Sequence, residues 1–135
     1  MAEFFTLDEL THSNTAKSRG IDNTPGPEET KRLKYLMDHC LDPIRRAWGK
    51  PITVNSGYRC KALNAEVGGV ANSQHLRGEA ADITTGSVEG NRKLFEMIAY
   101  GAFDYDQVID EKGYSWVHVS CKENSIGNRK LAIHL

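Results

Sequence analysis

The sequence predicts an α+β fold, on three observations. Apolar residues recur at helical spacing early in the chain, short alternating runs suited to strands come mostly later, and prolines and glycines fall between these segments. Thr6 to Leu10 reads as a short helix, with Thr6 as its cap and Glu9 three residues on to complete a capping box. Ser13 to Arg19 reads as a second short helical turn ended by Gly20. Asp22-Asn23-Thr24-Pro25-Gly26-Pro27 is a loop, because two prolines and a glycine forbid a continuing helix. Pro27 suits the first position of a long helix whose positive end is met by Glu28 and Glu29. Leu33, Leu36, Met37, Cys40, Leu41 and Ile44 form its apolar stripe, and Pro43 is expected to kink it.

Ile52 to Val54 is a strand candidate, Lys61 to Val67 a helix ended by Gly68 and Gly69, and Val70 to Arg77 a loop. Ala80 to Ile83 reads as a strand and Asn91 to Tyr100 as an amphipathic helix. Gln107 to Ile109 and Trp116 to Val119 read as an antiparallel pair, with a last strand from Lys130 to His134. With no internal repeat or linker, residues 1–135 are expected to form a single domain.

The bulk numbers exclude several classes. With 17 basic and 18 acidic side chains, a net charge of −1 gives no reason to expect nucleic acid as a partner. No apolar run is long enough for membrane insertion, and a monomer is expected. Met1-Ala2-Glu3-Phe4-Phe5-Thr6 lacks the pattern of a secretory leader, so the product is expected to be cytoplasmic when made. Cys40, Cys60 and Cys121 are odd in number and far apart, which favours reduced thiols.

The chemistry concentrates in Ser73-Gln74-His75-Leu76-Arg77-Gly78-Glu79-Ala80-Ala81-Asp82 and Trp116-Val117-His118-Val119-Ser120. His75, Asp82 and His118 offer two imidazoles and a carboxylate, a donor set that suits Zn2+ and leaves a fourth position for water. Gly78 lets the chain turn before Asp82, and Val117 and Val119 turned inward would send His118 into a cleft. Each residue alone has a blander reading, as a surface histidine or a turn aspartate.

Taken together and in order, Ser56-Gly57-Tyr58-Arg59, Leu63-Asn64, Ser73-x-His75-x-x-Gly78-x-Ala80-x-Asp82, Asp106-Gln107 and Trp116-x-His118-x-Ser120 resemble the peptidase M15 family. That family comprises zinc D-alanyl-D-alanine carboxypeptidases and phage endolysins of the hedgehog/DD-peptidase fold, and the likeness is to its short single-domain phage or prophage branch. The resemblance implies that His75, Asp82 and His118 hold zinc and that Arg59 faces the substrate, holding a carboxylate or an oxyanion. Many relatives carry an acid or a histidine just before the last ligand; Ser115 and Trp116 stand there instead. Asp106-Gln107-Val108-Ile109-Asp110-Glu111 matches the shorter branch and makes Glu111 the candidate general base, with Asp110 second because strand alternation turns it away. Ser73 is assigned to the His75 loop, and Gln107 and Ser120 to support of the ligand imidazoles.

The implied reaction is hydrolysis of a peptidoglycan peptide at a bond involving a D-amino acid. The implied setting is either lytic, with holin-type release to the cell wall, or cytoplasmic, in the recycling of muropeptides. The alternative is a zinc-containing module that binds the wall or builds a virion without cleaving.

Overall fold

The first helices form where the local signals place them. The computed structural model describes residues 2–135. In α1 (Leu7–Thr11) the Thr6 hydroxyl accepts from the Glu9 amide while the Glu9 carboxylate accepts from the Thr6 amide, so two orphan donors are satisfied reciprocally. Ser13 caps α2 (Asn14–Arg19), and Gly20 ends it in the left-handed region. Pro27 opens α3 (Pro27–Leu36), as its fixed φ and missing N–H allow.

The expected kink takes a specific form. A π-helical turn, Met37–Leu41, joins α3 to α4 (Asp42–Trp48), and the Asp42 amide donates to the Met37 carbonyl, one residue further back than in an α-helix. Pro43 has no amide to give, so the ladder must loosen here. Leu33, Leu36, Met37, Cys40, Leu41 and Ile44 are all buried. At about 1.5–3 kcal/mol for each large apolar side chain, this stripe is a main source of stability.

Five strands make one sheet in the order β1-β2-β4-β3-β5: β1 (Thr53–Ser56), β2 (Ala80–Thr84), β3 (Gln107–Glu111), β4 (Trp116–Ser120) and β5 (Leu131–His134). The expected β3–β4 hairpin is present; β5 lies parallel to β3 at the edge, which no local pattern signals. Asp82 pairs with His118, and His118 pairs with Ile109, so the three stand abreast on one face. Their neighbours Ala81, Val119 and Val108 form the matching row on the other face and are wholly buried. The buried Leu94, Phe95 and Ile98 of α6 (Val88–Tyr100) join them in one continuous core.

Two sequence expectations need correction. Residues 70–77 are not loop throughout: Gln74–Arg77 form a 3-10 turn capped by the Ser73 hydroxyl. Helix α6 begins at Val88 rather than Asn91, because the Ser87 hydroxyl accepts from the Gly90 amide and caps it earlier. Between β1 and that turn lies α5 (Lys61–Glu66), and no helix of the described residues is long and apolar enough to cross a membrane.

Candidate metal centre

β2 and β4 present Asp82 and His118, and the 3-10 turn brings His75 in from the side. One ligand atom from each lies within 4.8 Å of the others. His75 Nε2 is 3.3 Å from Asp82 Oδ1, and His118 Nδ1 is 3.1 Å from the same oxygen. Donors bonded at about 2.0–2.1 Å to a tetrahedral ion stand roughly 3.3 Å apart, so the cradle has the right size. All three residues are buried, at 3%, 6% and 8% exposure in chain order.

The protonation pattern points the same way. The Gly57 carbonyl, which can only accept, lies 2.7 Å from His75 Nδ1. His75 therefore donates there, which leaves Nε2 as the nitrogen that faces Asp82 and can ligate a metal ion. Burial opposes ionisation of Asp82, but His118 and His75 hold its carboxyl well below the usual carboxylate range when they donate to it as protonated rings. A divalent cation in place of those protons would neutralise the same buried carboxylate and accept both ring lone pairs. Two imidazoles and one carboxylate, with no thiol, fit a divalent ion such as zinc in a three-ligand site with one position open.

The Ser56-Gly57-Tyr58-Arg59 segment serves this centre at each position. Ser56 Oγ accepts from Arg59 Nε at 3.1 Å, the Gly57 carbonyl holds His75, Tyr58 enters the core, and the Arg59 amide donates to the His75 carbonyl. Gly57 is required sterically: a Cβ there would stand 2.2 Å from the Leu10 carbonyl oxygen. Gly78 is required twice over, by φ of +76° and by the Glu29 carbonyl, which a Cβ would meet at 2.6 Å.

Arg59 is no surface ion pair. Its guanidinium donates to Asn64 Oδ1 at 3.2 Å and to Asp82 Oδ2 at 3.4 Å, which leaves Oδ1 turned toward the imidazoles. Arg59 also lines a cleft of about 600 Å³ over the three ligands. Gln107, Ile109 and Glu111, alternate residues of β3, line it from the opposite strand. The Glu111 carboxylate accepts from Trp116 Nε1 at 2.7 Å, so the indole fixes an acid at the cleft wall. Asp110 points to the other face, where it accepts from the Leu135 amide and pairs with His134. Asp110 therefore does not line the cleft.

Ser73 Oγ accepts from the His75 amide at 3.2 Å, in keeping with a part in shaping that loop. Gln107 lines the cleft, but neither it nor Ser120 is the partner of a ligand imidazole. The Gln107 backbone N–H donates to Ser120 Oγ, and the ring nitrogens that face away from Asp82 meet the Gly57 carbonyl and Gln74 Oε1 instead. Ser120 shares the face of His118, but at about 3.4 Å of rise per residue it stands two residues further along the strand, too far for its short side chain to reach the ring. Gln74 and the Gly57 carbonyl carried no signal of their own, although both lie inside the recognised motifs.

A family model described as Peptidase M15 matches residues 3–120. The zinc D-Ala-D-Ala carboxypeptidase of Streptomyces albus G is 52% identical over 130 residues, a match covering 87% of this chain and 49% of the relative. The chain thus spans about half the length of that curated relative.

Proposed function

The chain belongs to the peptidase M15 family, and from that premise we propose that it is a zinc-dependent peptidase acting on peptidoglycan peptides at a bond involving a D-amino acid. The observation that carries this reading is the convergence of His75, Asp82 and His118 at the floor of a cleft that also holds Arg59 and Glu111. Zinc held by these ligands supplies Lewis acidity, which polarises a carbonyl and makes water a nucleophile at neutral pH.

The chain's own groups do the rest. Glu111, oriented by Trp116, takes a proton from the attacking water and returns it to the leaving amine. Arg59 stabilises the negative charge that grows on the carbonyl oxygen, or anchors a carboxylate of the peptide. Its bonds to Ser56, Asn64 and Asp82 hold the guanidinium in place before substrate arrives. The cleft is open enough for a peptide and is lined by both polar and charged groups.

The test is mass spectrometry of purified peptidoglycan and of D-Ala-D-Ala-terminated peptides after incubation with the zinc-loaded protein. The expected result is a defined cleavage product, lost in Glu111→Gln while zinc is retained. Intact peptides alongside stoichiometric zinc would contradict a peptidase and favour a module that binds the wall without cutting it.

A further inference from the structure

We propose that Gln74, Asp106 and Arg129 form a positioning unit that fixes the tautomer of His118, so that Nδ1 is the nitrogen free to bind a metal. The proposal rests on the zinc-site reading above and deepens it. Asp106 is completely buried at the head of β3. Its Oδ1 accepts from the Arg129 amide at 3.0 Å and from Arg129 Nε at 2.9 Å. Its Oδ2 accepts from Arg129 Nη2 at 2.8 Å and from Gln74 Nε2 at 2.8 Å. A carboxylate forked onto a guanidinium in this way is ionised, and Arg129 holds the Asp106 carboxyl below its usual range.

Each link then has one solution. An ionised carboxylate can only accept, so Gln74 must turn its NH2 toward Asp106. Its carbonyl oxygen is thereby aimed the other way, 3.0 Å from His118 Nε2. That oxygen can only accept, so His118 donates from Nε2, and Nδ1, the atom 3.1 Å from Asp82 Oδ1, is the nitrogen that can give up its proton to a metal ion. With the amide reversed, two acceptors would oppose each other at Asp106. The Gln74 NH2 would then drive the imidazole proton onto Nδ1, where it blocks ligation.

Arg129 also ties this unit to the end of the chain. It stands two residues before β5, whose Leu131 amide donates to the Asp106 carbonyl at 2.9 Å. Arg129 stands outside residues 3–120, the stretch that the family model matches. The edge strand thus brings a charge to bear on the metal centre through two intervening side chains.

The test compares wild type, Gln74→Met, Gln74→Glu, Asp106→Asn and the double variant Gln74→Glu/Asp106→Asn. Zinc affinity is measured by competition with a chelator. The 15N shifts of the His118 ring are read in the metal-free proteins, with their thermal unfolding as a check on folding. Gln74→Met is expected to weaken zinc binding by about 10–100-fold and to mix the two ring tautomers. Gln74→Glu alone sets two carboxylates against each other and weakens binding as well. In the double variant the new carboxylate accepts from both His118 and the new amide, so the Nε2–H tautomer and most of the affinity should return, which a purely structural role would not produce. Wild-type affinity and ring shifts in Gln74→Met, or a double variant no better than its parents, would overturn the proposal. A wild-type protein that binds no zinc would instead sink the zinc-site reading, and the ring spectrum would still report the His118 tautomer by itself.

Discussion

The two imidazoles of the centre are held by different kinds of partner. His75 donates to a backbone carbonyl, that of Gly57, on a segment fixed by the hydrogen bonds that the Tyr58 and Arg59 amides donate to the Leu10 and His75 carbonyls. His118 leans on a side chain, Gln74, which is itself held by Asp106 and Arg129. A carbonyl has one role and no rotamer, so the His75 tautomer is secured by the fold itself. A side-chain amide has two faces, so the His118 tautomer is only as secure as the charge behind that amide. One half of the site should therefore be breakable only through the backbone, the other through single side chains.

The largest effects should come from the ligands. Asp82→Asn or His118→Ala is expected to abolish stoichiometric zinc uptake and cut hydrolysis by on the order of a thousandfold or more, beyond the ~10–100-fold typical of outer supporting groups. Metal analysis beside the rate measurement checks both. Glu111→Gln should lower kcat by roughly 10²–10⁴-fold while zinc affinity stays at the wild-type level. Asp110→Asn should leave kcat near wild type, since that carboxylate bonds His134 and the Leu135 amide on the far face. Equal losses in the two variants would show that strand alternation has been misread.

Gly57→Ala probes the backbone half. Its Cβ meets the Leu10 carbonyl oxygen at 2.2 Å, and backbone has to move. A loss of about 1–3 kcal/mol in denaturant unfolding is expected, with weaker zinc binding because the carbonyl that holds His75 shifts. Unchanged zinc affinity despite lost stability would separate the glycine from the metal centre.

The smallest effect concerns pH. The Asp106 carboxyl lies below its unfolded value of 3.8, chiefly through Arg129, and so binds its proton less readily in the folded state. Its contribution to stability is fully present above that unfolded value and is lost as pH falls through the lower folded one. Asp106→Asn should flatten the acid limb of a stability–pH curve for the metal-free protein below about pH 4. A curve of unchanged shape would argue against an ionised Asp106.

Much of this centre was legible because its motifs are local. Ser73, His75, Gly78 and Asp82 lie within one short segment, and Val117 and Val119 on either side of His118 announce which way it points. Alternation along β3 likewise told Glu111 from Asp110. The support of His118 was not legible, because Gln74 meets partners 32 and 44 residues away, and nothing in its neighbourhood marks it. Arg129 shows the same limit more sharply: its place follows from the parallel pairing of β5 with β3, a long-range choice with no local signature. The Gly57 carbonyl was invisible for another reason, since every residue has one and only the tertiary fold aims it. The π-turn before Pro43 was half visible, as a break expected but not its form.

Anomalous diffraction at the zinc edge from crystals of the zinc-loaded protein would test the centre most directly. One ion is expected, bonded to His75 Nε2, Asp82 Oδ1 and His118 Nδ1. An ion bound through His118 Nε2, or lying away from these three side chains, would contradict it.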